Sequence, residues 1–96
     1  MATYISLANY TEQGIRSVKD TTKRADAVRE LAKKFGVTAK EFYWTMGAHD
    51  VVVVFEAPDD AAITALAMAI GSAGNVRTQT MRAFSKDEIN GVLSKL

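Results

Sequence analysis

The chain has 96 residues, 48% of them hydrophobic, with no cysteine and with twelve Lys and Arg against eleven Asp and Glu for a net charge of +1. A chain this short buries only somewhat more than ~60% of its unfolded surface, so its core is modest and a partner that enlarges it is expected. The charge balance argues against nucleic acid and anionic membranes as partners, and the lack of cysteine excludes disulfides, thiolate metal sites, iron–sulfur clusters and a cysteine nucleophile.

In chain order, Thr3 to Asn9 alternates polar with apolar and carries Tyr4, Ile5 and Leu7, which predicts a half-buried strand. The same alternation is unlike the continuous apolar run of a signal peptide, so a cytoplasmic chain is expected. Thr11 is placed to cap a short helical turn through Ile15 and Val18. Asp20-Thr21-Thr22 offers a cap for a longer helix, in which Ala25, Val28, Leu31, Ala32 and Phe35 recur at helical spacing before Gly36.

Val37 to Met46 reads as a second strand, with Phe42, Trp44 and Met46 on one face and Glu41, Tyr43 and Thr45 on the other. Gly47-Ala48-His49-Asp50 makes a hairpin turn. The run Val51 to Phe55 is continuously apolar, as in a strand covered on both faces. Ala57-Pro58-Asp59-Asp60 starts a helix whose stripe is Ile63, Leu66, Ala67 and Ile70, with the proline read in its first turn. The stretch from Ala61 to Ile70 is too short to span ~30 Å of hydrocarbon. Asn75 to Ala83 alternates Val76, Thr78 and Thr80 against Arg77, Gln79 and Met81 as a last strand. Ser85 and Glu88 form a capping box, with a Phe84/Ile89 staple, for a final helix towards Leu96.

The order β-α-β-β-α-β-α predicts an α+β fold of the ferredoxin-like kind plus a C-terminal helix, in one domain over residues 1–96. Both crossover helices fall on one sheet face. The other face would be bare in a monomer, which predicts a homodimer packed through it.

The sequence carries few groups able to do chemistry. His49 beside Asp50 invites a general-base reading, yet an aspartate in a turn more often bonds its own backbone, and a lone histidine makes a poor metal or haem site, so no metal is expected. Tyr43, Trp44 and Phe42 can line an apolar pocket or belong to the core and a dimer seam. Asn9, Asn75 and Arg77 can converge on a carbonyl or anionic group, or Arg77 can pair with Glu41 or Glu56. Lys23-Arg24 and Lys33-Lys34 read as solvated helix faces, and Gly71 to Gly74 lacks the Gly-Lys-Ser/Thr ending of a phosphate loop.

Tyr4-Ile5, Asn9-Tyr10-Thr11-Glu12-Gln13-Gly14-Ile15, Lys23-Arg24-Ala25, Glu41-Phe42-Tyr43, Asp50 with its valine run, Glu56-Ala57-Pro58-Asp59-Asp60 and Gly74-Asn75-Val76-Arg77-Thr78 together resemble the GYD family. The resemblance covers nearly the whole chain and implies a dimeric α+β barrel. Where the family pattern has Gly-x-Tyr-Asp, this chain has Gly47-Ala48-His49-Asp50, an imidazole in place of a phenol.

The expected function is binding of a small, largely apolar ligand by a homodimer, with Asn9, Tyr43, Trp44, His49, Asn75 and Arg77 as candidate ligand contacts and no cofactor. A cofactor-independent enzyme of monooxygenase or isomerase type, with His49 or Tyr43 handling a proton, is the alternative by fold analogy. A third reading is a structural assembly subunit.

Overall fold

The computed structural model describes residues 1–96. Its elements are β1 (Ala2–Tyr10), α1 (Glu12–Arg16), a 3₁₀ turn (Val18–Asp20), α2 (Thr21–Lys34), β2 (Thr38–Trp44), β3 (Val51–Ala57), α3 (Asp60–Ser72), β4 (Val76–Ala83) and α4 (Lys86–Leu93). The strands pair antiparallel in the order β2-β3-β1-β4. That order is the ferredoxin-like α+β arrangement, with α4 appended. No helix is long and apolar enough to cross a membrane.

The two-residue period of a strand sorts β1 and β3 into two layers. Tyr4, Ser6 and Ala8 of β1 and Val51, Val53, Phe55 and Ala57 of β3 are buried with Ile63 and Leu66 of α3 and Ala32 of α2. Ser6, the buried polar residue of this layer, is satisfied by Thr80 across the β1–β4 pair, Oγ to Oγ1 at 3.0 Å. Ile5, Leu7, Val52 and Val54 point the other way and are half-buried, while Tyr43, Arg77, Gln79 and Met81 beside them are exposed.

β2 departs from the simple alternation. Its register with β3 shifts between Ala39 and Glu41, so Lys40 is an extra residue and the phase reverses there. Val37 and Ala39 are buried before the bulge, and Phe42 and Trp44 take the same face after it. Read as one uninterrupted strand, Val37 would have faced away from Phe42. Met46, expected to share that face, lies beyond the strand end and is 96% exposed.

The caps follow the expected residues with two corrections. Thr11 Oγ1 accepts from the Gly14 N–H at 3.1 Å, and Ser85 and Glu88 form the reciprocal capping box of α4. The cap of α3 is Asp59, whose side chain accepts from the Ala62 N–H, so Pro58 lies ahead of the cap instead of in the first turn. The Asp20-Thr21-Thr22 cluster gives α2 no side-chain cap bond. Thr21 uses its hydroxyl elsewhere.

The Asp50 carboxylate accepts from the Tyr10 N–H at 2.9 Å, and its own N–H donates to the Ala8 carbonyl at 2.9 Å. One turn residue therefore ties the β2–β3 hairpin to the end of β1. Gly47 supplies the left-handed backbone of this turn, with φ of 102°.

Candidate functional site

Over the covered face, α2 and α3 stand apart. The residues that line the gap include Ala25 and Ala27 of α2, Ala69 of α3 and Ala73 just past its end, whose methyl groups are too short to close it. The sheet floor below is Ser6, Ala8, Val51, Val53, Val76 and Thr78, and Val28, Leu31, Phe42, Trp44 and Ile70 form the walls. The result is an open cleft of about 210 Å³, and 15 of its 20 lining residues are hydrophobic. A floor of small and β-branched side chains favours apolar over charged contents.

The polar groups of the cleft gather at one end and largely satisfy each other. Trp44 Nε1 donates to Thr21 Oγ1 at 3.0 Å, and the Tyr10 hydroxyl lies 2.9 Å from the same oxygen. Arg24 lies with its guanidinium 5.9 Å from the Tyr10 ring centroid. It donates to the Ser17 carbonyl and hydroxyl at 2.9 Å each and to the Gly14 carbonyl at 3.1 Å. These contacts hold the cation at the C-terminal end of α1, where carbonyls and the helix dipole favour positive charge. Asn75 Oδ1 accepts from Gln13 Nε2 at 2.9 Å, and its amide nitrogen has no partner within the chain.

Of the side chains singled out from sequence, Trp44 and Asn75 line this cleft. Tyr43 does not share it. One residue along β2 it takes the opposite face and donates to Glu41. That hydrogen bond, then the Glu41 charge, raises the Tyr43 hydroxyl pKa above its ordinary value. Asn9 and His49 form a separate pair at the hairpin end: His49 Nδ1 is 2.8 Å from Asn9 Oδ1, and Asn9 Nδ2 donates to the Ala48 carbonyl at 2.9 Å.

Arg77 stands opposite Asn9 in the β1–β4 register, exposed on the bare face. It forms no ion pair. Two strands separate β4 from β2, Glu56 pairs with Lys40 at 3.2 Å, and Glu41 is taken by Tyr43, so neither carboxylate expected for Arg77 serves it. Asn9, Asn75 and Arg77 therefore do not converge, because Asn75 precedes β4 on the cleft side while the other two point away from it.

A histidine–aspartate couple is likewise not assembled. Asp50 turns to the Tyr10 amide and His49 to Asn9, so no carboxylate orients the imidazole as a base. No group of three or more His, Asp or Glu is placed to hold a metal ion. Sequence reasoning missed Tyr10, Thr21 and Arg24. Tyr10 and Arg24 stood within the stretches that carry the resemblance, whereas Thr21 was hidden by its fitness as a helix cap.

The polar end rests on a clasp between α1 and the α3–β4 connection. The Thr11 N–H donates to the Asn75 carbonyl at 3.1 Å, its hydroxyl to the Gly74 carbonyl at 2.5 Å, and Gln13 Nε2 to the Ala73 carbonyl at 3.1 Å. Gly14 is pressed so close that a Cβ there would meet the Asn75 carbonyl oxygen at 1.9 Å. The GYD domain profile matches residues 4–93. The chain belongs to the GYD domain family. A Thermus thermophilus protein called "glutamine synthetase and cystathionine beta-lyase binding protein" is 33% identical to this GYD domain over 84 residues, covering 86% of the chain and 88% of that protein. A crystal structure of a protein from Thermus thermophilus, 23% identical, superposes with a TM-score of 0.58 over 88% of this GYD domain and 95% of that chain, and supports the fold. In this GYD domain Thr11, Gln13 and Gly14 build the clasp, and His49 lies apart from it on the β2–β3 hairpin.

Proposed function

We propose that this GYD domain is a binding protein that works as a homodimer and holds a small, uncharged, largely apolar molecule in the cleft between α2 and α3. The observation that carries the reading is the cleft itself: about 210 Å³, with 15 of 20 lining residues hydrophobic and its one cation already committed to backbone carbonyls. An apolar cavity of ~150 Å³ holds benzene, so this one suits a molecule of one or two rings. The free Asn75 amide nitrogen would orient a carbonyl or hydroxyl on it.

Trp44, the single tryptophan, lines the cleft and reports on it. A panel of uncharged one- and two-ring compounds is expected to contain members that raise the melting temperature and shift Trp44 emission together. Ala25→Phe, which fills the cleft, should abolish both responses while circular dichroism stays unchanged. A panel in which no compound binds, or binding that survives Ala25→Phe, would sink the reading.

The dimer reading rests on the bare face, where Ile5, Leu7, Val52 and Val54 form a contiguous apolar strip without a helix over it. A second reading, docking on other proteins, is favoured by the binding-protein name of the relative at 33% identity. Co-sedimentation with purified glutamine synthetase and with cystathionine beta-lyase checks it, and free sedimentation of all three proteins would remove it.

A further inference from the structure

A second recess of about 380 Å³ opens between the first half of α3 and the sheet, lined by Tyr4, Asp60, Ile63, Thr64, Thr80 and Arg82 with one alanine. It shares no lining residue with the apolar cleft and differs from it in holding opposite charges. Tyr4 is buried at 4% exposure, and its hydroxyl donates to the Asp60 carboxylate. Asp60 has no cationic partner, since the ion pairs of the chain are Glu12 with Arg16, Glu30 with Lys33, Glu56 with Lys40 and Glu88 with Arg82. The bond to Asp60, followed by burial, raises the pKa of the Tyr4 phenol above its ordinary value.

Arg82 lies with its guanidinium 5.8 Å from the Tyr4 ring centroid. Its Nη1 donates to the Thr3 and Ala83 carbonyls and its Nη2 to Glu88. A guanidinium has five N–H donors, so the Nε–H and one Nη2–H are left without acceptors. The Nε–H is the donor that no contact of the chain uses, and a carboxylate can accept from it in the plane of the guanidinium. Thr64, one helical turn beyond Asp60 on the same face, makes no hydrogen bond through its hydroxyl.

One tyrosine is thus flanked by a carboxylate without a cationic partner at its hydroxyl and by a guanidinium with an unused Nε–H at its ring. A simple anion would meet Asp60, and a simple cation would meet Arg82. We propose that this recess binds a small zwitterion of the amino-acid class, its ammonium held by Asp60 and the Thr64 hydroxyl and its carboxylate by the unused Nε–H and the charge of Arg82. Ile63 and Ala67 give the side chain an apolar wall, which selects a small aliphatic group.

The test uses the unmodified chain and three probes of one shape. L-valine carries both charges, L-valinamide lacks the carboxylate and 3-methylbutanoate lacks the ammonium. In nitrogen-edited NMR spectra, L-valine should move the Tyr4, Thr64 and Arg82 Nε signals saturably and leave the Trp44 indole signal in place, with each analogue binding at least tenfold more weakly. Asp60→Asn and Arg82→Gln should each weaken L-valine at least tenfold, and Glu88→Gln, which frees Arg82, should retain or strengthen it. No saturable shift at tens of millimolar L-valine, equal binding of either analogue, or loss of binding in Glu88→Gln would overturn the proposal.

Discussion

The two faces of the sheet are made of similar residues and end in different surroundings. On β3, Val51, Val53 and Phe55 are buried beneath α2 and α3, while Val52 and Val54, identical in kind and one residue away, look out from the bare face. The difference comes from where the crossover helices fall and not from the strand. An uninterrupted valine run satisfies either face, so the same segment is core on one side and an apolar strip without a helix over it on the other. The covered face is itself incomplete, because alanines on both helices leave the cleft open.

The largest expected effect lies on the covered face. Leu66 is fully buried, and Leu66→Ala should cost about 3 kcal/mol from lost transfer energy and the cavity left behind. Chemical denaturation measures it, and a loss near zero would show that the covered layer is as loosely packed as the cleft. On the bare face Val54→Lys should leave subunit stability nearly unchanged yet weaken self-association by at least ~tenfold, about 1.4 kcal/mol, by burying a charge in the seam. Sedimentation at micromolar concentration distinguishes the faces. A wild-type chain that stays monomeric with a well-dispersed spectrum would show that the bare face needs no cover.

A smaller contrast sits in the hairpin that joins β2 to β3. Asp50→Ala leaves the Tyr10 N–H without its acceptor and should cost about 1 kcal/mol. His49→Ala removes only the bond to Asn9 on an exposed turn and should cost less. Thermal melts of the two variants, with His49→Tyr as a third, test the order. A reversed order would make the histidine the anchor of the hairpin.

The smallest effect is at α4, which is tethered by Arg82 and Glu88 at 3.1 Å. The Glu88 carboxyl is held below its usual range, first by the Ser85 backbone N–H and then by Arg82. A carboxyl lowered in the folded state contributes stability above its unfolded pKa, and that contribution is lost as pH falls through the folded value. The start of α4 should therefore loosen on acidification below the ordinary glutamate range and stay unchanged from neutral to mildly basic pH. Amide protection factors of Ile89 to Leu93, taken relative to the unstructured chain at each pH, read this, and protection that is flat on acidification would show that the capping box holds α4 without the charge.

Much of the fold was legible because its signals are local. Thr11, Ser85 and Glu88 act as caps through atoms within one turn of helix, and the β1 and β4 alternations sort their side chains by the pleat alone. The candidate site was legible in part. Trp44 and Asn75 reach the cleft, whereas the grouping of Asn9, Asn75 and Arg77 failed, since a strand's alternation says which residues share a face but not which face the helices cover. Thr21 shows the opposite error: its sequence setting suits a cap, yet its hydroxyl joins Tyr10 and Trp44 from other elements.

By itself the sequence determined the element order, the antiparallel ferredoxin-like sheet, the helix stripes and the family, because those depend on period, capping chemistry and turns that neighbouring residues settle among themselves. Only the tertiary structure decided the bulge at Lys40, the gap between α2 and α3, the clasp that presses Gly14 against Asn75, and the meeting of Tyr4, Asp60 and Arg82 around one recess. Each of these joins residues far apart in the chain. Their spacing is set by strand order and by how closely helices can approach a sheet, and those are properties of the packed whole that no local pattern encodes.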